Sequence, residues 1–221
     1  MKRAIIFVNG NLSDLGQAKK IINKEDCLIA ADGGVKRILE LELTPHIVIG
    51  DFDSISNSLY KKLTKICKEQ KSLFPTMIKY PRKKDKTDFE LAIDYCLKNK
   101  FKKIIIFGIL GDRIDHMMAN IFLIAKIQTQ NPKIQIKIIE GSKEIFILNK
   151  EIVILGKIGD EVSIIPISEK IKGIVTDGLE YQLKNDSLLF GSTRGVSNVM
   201  NKAKIKINVS EGIAVVEHNS Q

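Results

Sequence analysis

Two aspartates stand two positions apart at the end of an apolar segment, in IVIGDFDSI at residues 47–55. If this segment is an extended strand, Asp51 and Asp53 point to one face while Phe52 points back to the apolar interior. Two carboxylates roughly 4 Å apart repel each other by about 4 kcal/mol at an effective dielectric constant of about 20. A bound cation or a wide separation must therefore reduce this repulsion. The alternative is a loop in which Asp51 caps a turn and Asp53 caps the next helix, assisted by Ser54.

Further acidic and basic residues follow other apolar segments. They are Asp32 with Gly33 and Gly34, then Arg82, Lys83, Lys84, Asp85, Thr87 and Asp88, and then Gly108, Gly111, Asp112, Arg113, Asp115 and His116. Each has an ordinary explanation, since acidic residues complement helix dipoles, glycines supply positive φ, and His116 can be a simple first-turn histidine. Together they offer carboxylates suited to Mg²⁺ and cations suited to phosphate.

Short apolar segments alternate with amphipathic ones over the first 140 residues. This pattern predicts strands at 4–8, 27–31, 46–50, 76–80, 103–108 and 134–139, with helices near 14–23, 34–42, 56–70, 88–99 and 114–128. It is typical of a mostly parallel sheet covered by helices. The helical period then disappears, and short apolar segments separated by Gly, Asn, Asp and Pro predict an antiparallel β-sandwich or barrel. We expect two domains, residues 1–140 and 141–221.

The carboxyl ends of parallel strands are where ligands bind in open sheets. The acidic and basic residues described above fall at these ends, which predicts a Mg²⁺-dependent enzyme acting on a phosphorylated ligand. Asp51 and Asp53 could lean together on one ion, hold it partly through water, or serve two ions. The sequence lacks the P-loop, Rossmann, protein-kinase and H-E-x-x-H motifs, which argues against those classes.

The composition narrows the choice of partner and location. A net charge of +9 could indicate nucleic-acid binding, which is the alternative from another class. The lysines are scattered without interleaved aromatics, so we expect a solvated surface and no nucleic-acid partner.

The apolar segments are shorter than the about 20 residues that span a bilayer, and the N-terminal MKRAIIFVNG is predicted to be a strand rather than a signal peptide. Three widely spaced cysteines fit neither a disulfide framework nor a zinc site, so we expect a cytoplasmic protein without a membrane partner.

Five motifs, in order, resemble those of the thiamine pyrophosphokinase family, also called thiamine diphosphokinases. They are ADGG at 31–34, TPHIVIGDFDSI at 44–55, KDKTDFELAI at 84–93, GILGDRIDHMMANI at 108–121 and FGSTRGVSN at 190–198. The resemblance implies an α/β catalytic domain that binds ATP and Mg²⁺, a β-sandwich that binds thiamine, and a homodimer with sites between subunits. It also implies transfer of pyrophosphate from ATP to the hydroxyl of thiamine, with AMP as leaving group. A related Mg²⁺-dependent phosphotransferase that uses another alcohol is the alternative within the class.

The resemblance also implies a role for individual residues. Asp51, Asp53 and Asp88 would be catalytic and hold Mg²⁺, with Asp32 nearby at the nucleotide site. The residues that position ATP would be Lys84, Thr87, Arg113 and Asp115, and those that meet the aminopyrimidine of thiamine would be Ser197 and Asn198. For this last pair the alternative is a turn between two strands.

Two positions depart from the family pattern. Asp112 stands where a second glycine is expected, and Val199 stands where a glutamate is expected. Asp112 could keep the turn, because aspartate tolerates left-handed backbone angles, but it adds an anion near the triphosphate. Val199 removes a possible polar contact with thiamine. The chain has no tryptophan, so an aromatic residue that stacks on thiamine would be Tyr or Phe.

Overall fold

The structure, a computed structural model, describes residues 3–10, 14–69, 75–111 and 113–221, and omits the side chains of residues 67–69. Asp112 and the side chain of Cys67 therefore lie outside the described part of the chain. The chain divides into two compact units, Met1–Gly141 and Ser142–Gln221. None of the helices in the described ranges is long and apolar enough to cross a membrane.

The first unit contains a parallel sheet. Its strands are β1 (Arg3–Phe7), β2 (Cys27–Ala31), β3 (Ile47–Gly50), β4 (Thr76–Lys79), β5 (Lys103–Phe107) and β6 (Gln135–Glu140). They pair in the order β6-β5-β1-β2-β3-β4, and each of these pairings is parallel. This confirms the prediction of a mostly parallel sheet. The carboxyl ends of these strands consequently lie at one edge of the sheet.

Five helices accompany this sheet within the described residues: α1 (Leu15–Ile21), α2 (Val35–Glu40), α3 (Asn57–Glu69), α4 (Asp88–Lys98) and α5 (Ile114–Gln130). A short 3₁₀ turn, Asp32–Gly34, precedes α2. The predicted elements of this unit are present with ends that differ by about two residues, as is normal for helix and strand boundaries.

Burial explains why the strands of the first unit have nearly continuous apolar sequences. All four residues of β3 are buried, and so are Ala4, Ile5, Ile6 and Phe7 of β1. Strands buried on both faces are expected in a parallel sheet that helices cover on both sides. The rings of Phe7 and Phe107 stack with centroids 5.2 Å apart, next to the ends of β1 and β5.

The second unit is built from antiparallel strands. They are β7 (Lys143–Leu148), β8 (Glu151–Leu155), β9 (Glu161–Pro166), β10 (Lys170–Asp177), β11 (Lys184–Leu189), β12 (Asn198–Val199), β13 (Lys204–Asn208) and β14 (Ala214–Asn219). One set pairs in the order β12-β9-β14-β7 and the other in the order β11-β10-β13-β8. Ile154 and Ile205 of the second set share one buried cluster with Val162 and Val216 of the first. The two sheets therefore face each other across a common core, which confirms the predicted antiparallel sandwich.

Candidate active site

A cleft of about 630 Å³ lies at the carboxyl edge of the parallel sheet, within the first unit. Its walls include Asn9 and Gly10 after β1, Asp32 after β2, Asp53 and Ser54 after β3, Arg82, Lys84, Thr87 and Asp88 around the start of α4, Gly108 and Arg113 after β5, and His116 and Asn120 on α5. This volume falls in the range of sites that enclose small molecules. Residues that follow each of the strands β1 to β5 are therefore brought to one cavity.

Three carboxylates meet beside this cleft. Asp32, Asp51 and Asp53 each offer an oxygen atom, and these atoms lie within 4.8 Å of one another. Asp32 is 7% exposed, and its buried Oδ1 makes no hydrogen bond with the described residues. A buried carboxylate oxygen without a donor is costly unless a cation neutralises it. The donor set and the unpaired oxygen therefore fit a hard divalent cation such as Mg²⁺.

The turn after β3 brings Asp51 and Asp53 together. β3 ends at Gly50, as the predicted strand 46–50 does, and the extended conformation considered for Asp51 to Asp53 is not adopted. Phe52 instead adopts a left-handed backbone with φ of 68°, and the amide of Asp53 donates to Oδ1 of Asp51 at 3.0 Å. Asp51 therefore caps a turn, as the alternative interpretation had it, while it also belongs to the carboxylate group.

The side chain of Phe52 secures this turn. It is 8% exposed within the first unit's core, as predicted, and its ring lies 6.1 Å from that of Tyr60 on α3. A bulky residue in the left-handed region carries strain of about 1–3 kcal/mol, which burial of the ring offsets. Asp53 does not cap α3, because Ser56 does so by accepting a hydrogen bond from the amide of Leu59 at 3.3 Å.

Lys84 neutralises part of the acidic group. Its Nζ lies 3.0 Å from Oδ2 of Asp51 and 3.1 Å from Oδ1 of Asp88, and its side chain is 14% exposed. Burial lowers the pKa of Lys84, but the two carboxylates outweigh this effect and the pKa is raised overall. Burial likewise opposes ionisation of Asp51, yet the amide of Asp53 and the ammonium of Lys84 lower its pKa overall. The pKa of Asp88 is raised, because burial and the charges of Asp32 and Asp51 outweigh Lys84.

The role of Asp88 as a Mg²⁺ ligand, which the resemblance implies, remains a prediction. The group with mutually close oxygens contains Asp32 rather than Asp88, and Asp88 forms the ion pair with Lys84. Asp88 is nevertheless adjacent, since a Cβ at Gly50 would lie 3.2 Å from its Oδ1 and 3.0 Å from Cβ of Asp32. A side chain at Gly50 would make a tight contact with the side chains of both Asp32 and Asp88.

The predicted nucleotide-binding residues are only partly brought to the cleft. Thr87 lines it and also caps α4, with its Oγ accepting from the amide of Glu90 at 3.2 Å. Arg113 lines the cleft and pairs with Asp115 at 2.6 Å, and both side chains are more than 60% exposed. This hydrogen bond from Arg113 lowers the pKa of Asp115. Asp115 itself is not among the residues that line the cleft.

Sequence reasoning missed Asn120. This residue of α5 is 6% exposed and lines the cleft. The available signal was an amide within the apolar sequence MMANIFLIA, four positions after His116. Residues four positions apart share one face of a helix. If His116 faces the cavity, the sequence therefore predicts that Asn120 faces it as well.

The predicted thiamine-binding residues make contacts within the second unit. Asn198 is 7% exposed, its Nδ2 donates to the carbonyl of Tyr181 at 2.7 Å, and its Oδ1 accepts from the amide of Tyr181 at 3.0 Å. Ser197 has a left-handed backbone, with φ of 56°, and its amide donates to Oγ of Ser163 at 3.1 Å. Both residues therefore have structural roles at the start of β12, as the turn interpretation proposed. A contact with thiamine remains a prediction, as does the effect of Val199, which pairs with Glu161.

Comparison with known proteins identifies the family. The family described as thiamin pyrophosphokinase, catalytic domain, matches residues 18–138, and that described as thiamin pyrophosphokinase, vitamin B1 binding domain, matches residues 149–214. Thiamine pyrophosphokinase of Bacillus subtilis (strain 168) is 30% identical over 188 residues, which cover 85% of each chain. The crystal structure of thiamine pyrophosphokinase from Bacillus subtilis superposes with a TM-score of 0.87 at 25% identity over the full length of both chains. That of thiamin pyrophosphokinase from Geobacillus thermodenitrificans gives 0.80 at 27% identity and covers 100% of this chain and 98% of that one. The chain therefore belongs to the thiamine pyrophosphokinase family.

Proposed function

We propose that the cleft of the first unit is the place where this protein transfers pyrophosphate from ATP to thiamine. The reaction follows from membership of the family, and the location and the residue roles are the proposal. The observation that supports it most is the group of Asp32, Asp51 and Asp53, with its unpaired buried oxygen, beside a cleft of about 630 Å³. Carboxylates on a cation beside a phosphate site are a recurring arrangement in phosphoryl transfer.

Asp32, Asp51 and Asp53 would hold Mg²⁺ in this proposal. When bound, the ion would polarise phosphate oxygens and offset their negative charge. The resemblance implies that Asp88 also holds the ion. Asp88 would do so if the ammonium of Lys84 leaves it and contacts phosphate instead. Lys84 is suited to that exchange, because its ammonium is a compact charge on a flexible chain.

The remaining residues would position the reactants. The hydroxyl oxygen of thiamine would form a bond to the β-phosphorus of ATP while the bond from that phosphorus to the bridging oxygen of AMP breaks. Arg113, which lines the cleft, would offset charge on the departing AMP. Asp53 would orient the thiamine hydroxyl, which loses its proton during the transfer.

The second unit would supply contacts to thiamine. The side chain of Asn198 forms hydrogen bonds with both the amide and the carbonyl of Tyr181. Tyr181 itself is 68% exposed. This arrangement supports a positioning role for Asn198 and makes the Tyr181 ring available for stacking on thiamine. Ser197 would contact the aminopyrimidine, as the resemblance implies.

The proposal also covers assembly and location. We expect a homodimer with sites between subunits, acting in the cytoplasm without nucleic acid. Ion pairs such as Lys172–Glu211, Lys202–Asp177 and Lys206–Glu151 intersperse positive and negative charges. Such mixing favours a solvated surface over a basic nucleic-acid patch.

Chromatography of the nucleotide and thiamine products tests the reaction and its site together. We expect equimolar AMP and thiamine diphosphate, with turnover that requires Mg²⁺. Asp51→Asn and Asp32→Asn should each reduce turnover by roughly 100-fold or more, since each removes a charge aimed at the cation. Asp94→Asn is the matched control, because the Asp94 side chain is 42% exposed and pairs with Lys86.

Two results would contradict the proposal. ADP together with thiamine monophosphate would show attack at the γ-phosphorus and make the protein an ordinary kinase. Full activity of both aspartate variants at limiting Mg²⁺ would show that the reaction takes place elsewhere.

A further inference from the structure

The β12 segment, residues 197–200, carries the predicted thiamine contacts and lies between two neighbours in the second unit. On one side β12 pairs with β9, where Asn198 stands opposite Val162. On the other side the amide of Glu180 donates to the carbonyl of Val199 at 2.9 Å. Because β12 is only two residues long and makes few bonds of its own, its position depends on the elements beside it.

Ser163 of β9 anchors the start of the β12 segment. Its Oγ accepts a hydrogen bond from the amide of Ser197 at 3.1 Å. Ser197 has φ of 56°, and this left-handed conformation is unfavourable for a residue with a side chain. The hydrogen bond to Ser163 stabilises that conformation and thereby fixes the direction in which the Ser197 side chain leaves the backbone.

Asp160, which directly precedes β9, anchors the other end of the β12 segment. Its carbonyl accepts a hydrogen bond from the amide of Met200 at 2.9 Å, and the amide of Gly159 donates to the carbonyl of Met200 at 2.9 Å. Met200 is fully buried and follows Asn198 by two residues. A displacement of Asp160 would therefore move the backbone next to Asn198.

A buried histidine holds the side chain of Asp160 in place. Because a carboxylate can only accept, Nε2 of His218 donates to Oδ2 of Asp160 at 2.9 Å. The amides of Lys157 and Gln221 donate to the same carboxylate at 2.8 Å and 3.2 Å. Asp160 and His218 are 1% and 2% exposed, so water does not readily replace a hydrogen bond that is lost between them.

We infer that Ser163, Asp160 and His218 are positioning residues for thiamine, which act by fixing the two ends of the β12 segment. This inference rests on the proposed function, which assigns contacts with thiamine to Ser197 and Asn198. Loss of an anchor would let these two side chains leave the geometry that suits the ligand, and a displacement of about 1 Å is enough to weaken such a contact. The proposed function places ATP in the first unit, so ATP binding should not respond.

Ser163→Ala tests the first anchor with little risk to folding, because Ser163 is only partly buried. We expect the KM for thiamine to rise roughly threefold to tenfold, as for one lost hydrogen bond, with little change in kcat or in the KM for ATP. Ser163→Thr keeps the hydroxyl and should restore most of the affinity. Ser168→Ala is the matched control, since Oγ of Ser168 accepts the amide of Ile213 at 2.9 Å, outside the β12 segment. It should leave both KM values unchanged.

His218→Phe and His218→Gln test the second anchor, at a temperature where each variant is folded. Phenylalanine keeps a ring but has no donor, so the KM for thiamine should rise roughly 10-fold. Glutamine places an amide donor close to the position of Nε2 and should recover part of the affinity. Ile207→Val is the control for a general loss of stability, because Ile207 is fully buried on β13, which does not pair with β12. It should lower the melting temperature without changing the KM for thiamine.

Ser197→Gly separates the outcomes of this inference from those of the proposed function. Glycine removes the hydroxyl but tolerates the left-handed backbone, so a higher KM for thiamine would support the direct contact. If Ser197→Gly raises this KM while Ser163→Ala and His218→Phe leave it unchanged, the inference is wrong and the proposed function stands. If all three variants leave it unchanged, thiamine binds elsewhere and both are wrong. Equal rises in the KM values for thiamine and ATP in His218→Phe would show a general structural role and overturn the inference as well.

Discussion

At the scale of single residues, Lys84 lets like charges stay close together. Asp51 and Asp88 both lie within 3.1 Å of its ammonium, and the raised pKa of Lys84 keeps that ammonium charged. In the absence of a divalent cation, this lysine is the nearest described positive charge that offsets the acidic group. Binding of Mg²⁺ would take over part of this role, and Lys84 would then be available for phosphate.

Replacing Lys84 should therefore destabilise the metal-free protein. In the presence of a chelator, we expect Lys84→Met to lower the free energy of unfolding by about 2 kcal/mol, because two partly buried carboxylates lose their partner. Added Mg²⁺ should raise the melting temperature of this variant more than that of the unmodified protein, since the ion supplies the missing positive charge. Thermal melting with and without Mg²⁺ measures both effects.

Lys86→Met provides the control for this prediction. Lys86 pairs with Asp94 and Glu90, but its side chain is 46% exposed, and exposed ion pairs contribute little to stability. Its removal should change the melting temperature only slightly. Equal melting temperatures for Lys84→Met and the unmodified protein in chelator would show that Lys84 does not stabilise the acidic group.

At the scale of elements, one buried dyad fixes how the start of β9 meets β14. Asp160 and His218 are 1% and 2% exposed, and Oδ2 of Asp160 lies 2.9 Å from Nε2 of His218. Asp160 also accepts hydrogen bonds from the amides of Lys157 at 2.8 Å and Gln221 at 3.2 Å. Burial opposes the ionised form of Asp160, yet these hydrogen bonds outweigh it and lower its pKa.

The lowered pKa of Asp160 predicts how the stability of the protein changes in acid. The carboxyl group of Asp160 binds a proton less readily in the folded protein than in the unfolded chain. Its contribution to the free energy of unfolding is therefore complete above the unfolded pKa of about 3.9, and it is lost as the pH falls through the lower pKa of the folded protein. We expect Asp160→Asn to reduce the free energy of unfolding by about 1–3 kcal/mol at pH 7. The variant should also lose less stability than the unmodified protein when the pH falls below about 4.

Urea unfolding at a series of pH values measures this difference. Asp177→Asn is the control, because Asp177 pairs with Lys202 on the surface and both side chains are more than half exposed. Its effect should be smaller at every pH. An Asp160→Asn variant with the acid sensitivity of the unmodified protein would rule out the dyad as a source of stability.

The segment from β3 to α3 shows how far the sequence predicts an element. Alternation correctly predicted a buried Phe52 and two carboxylates on the other side. The predicted strand, 46–50, ends at Gly50 as β3 does, but the pattern did not predict that Phe52 adopts a left-handed backbone. Such a conformation is unfavourable for a bulky residue on its own, and it persists here because the ring is buried next to Tyr60.

At the scale of the whole molecule, an apolar stripe on α5 supports the proposed dimer. Ile114, Met118 and Phe122 follow one another at intervals of four residues, so they share a helix face, and they are 66%, 47% and 47% exposed. Large exposed apolar side chains on one face are typical of surfaces that a partner covers. A second copy of the chain is the partner that the family resemblance implies.

Light scattering should give a mass of twice the 24.8 kDa of the chain. Phe122→Glu should shift the protein toward monomers if the stripe on α5 lies in the interface, because a charge would be buried there. The activity of that variant per chain should fall as well, since sites between subunits would be lost. A monomeric unmodified protein with full activity at the assay concentration would show that each chain builds its own site.

The sequence by itself determined the family, the order of the strands and helices, and the strand ends at which acidic and basic residues stand. These features depend on local periodicity and on motifs that are contiguous in the chain. The tertiary structure alone decided which side chains meet: Asp32 joins Asp51 and Asp53, while Asp88 pairs with Lys84. It also decided that Asn198 holds the backbone of Tyr181 and that Asn120 is buried at the cleft. The physical reason is that strand pairing and helix packing bring together residues far apart in the chain, and local sequence patterns carry no information about those neighbours.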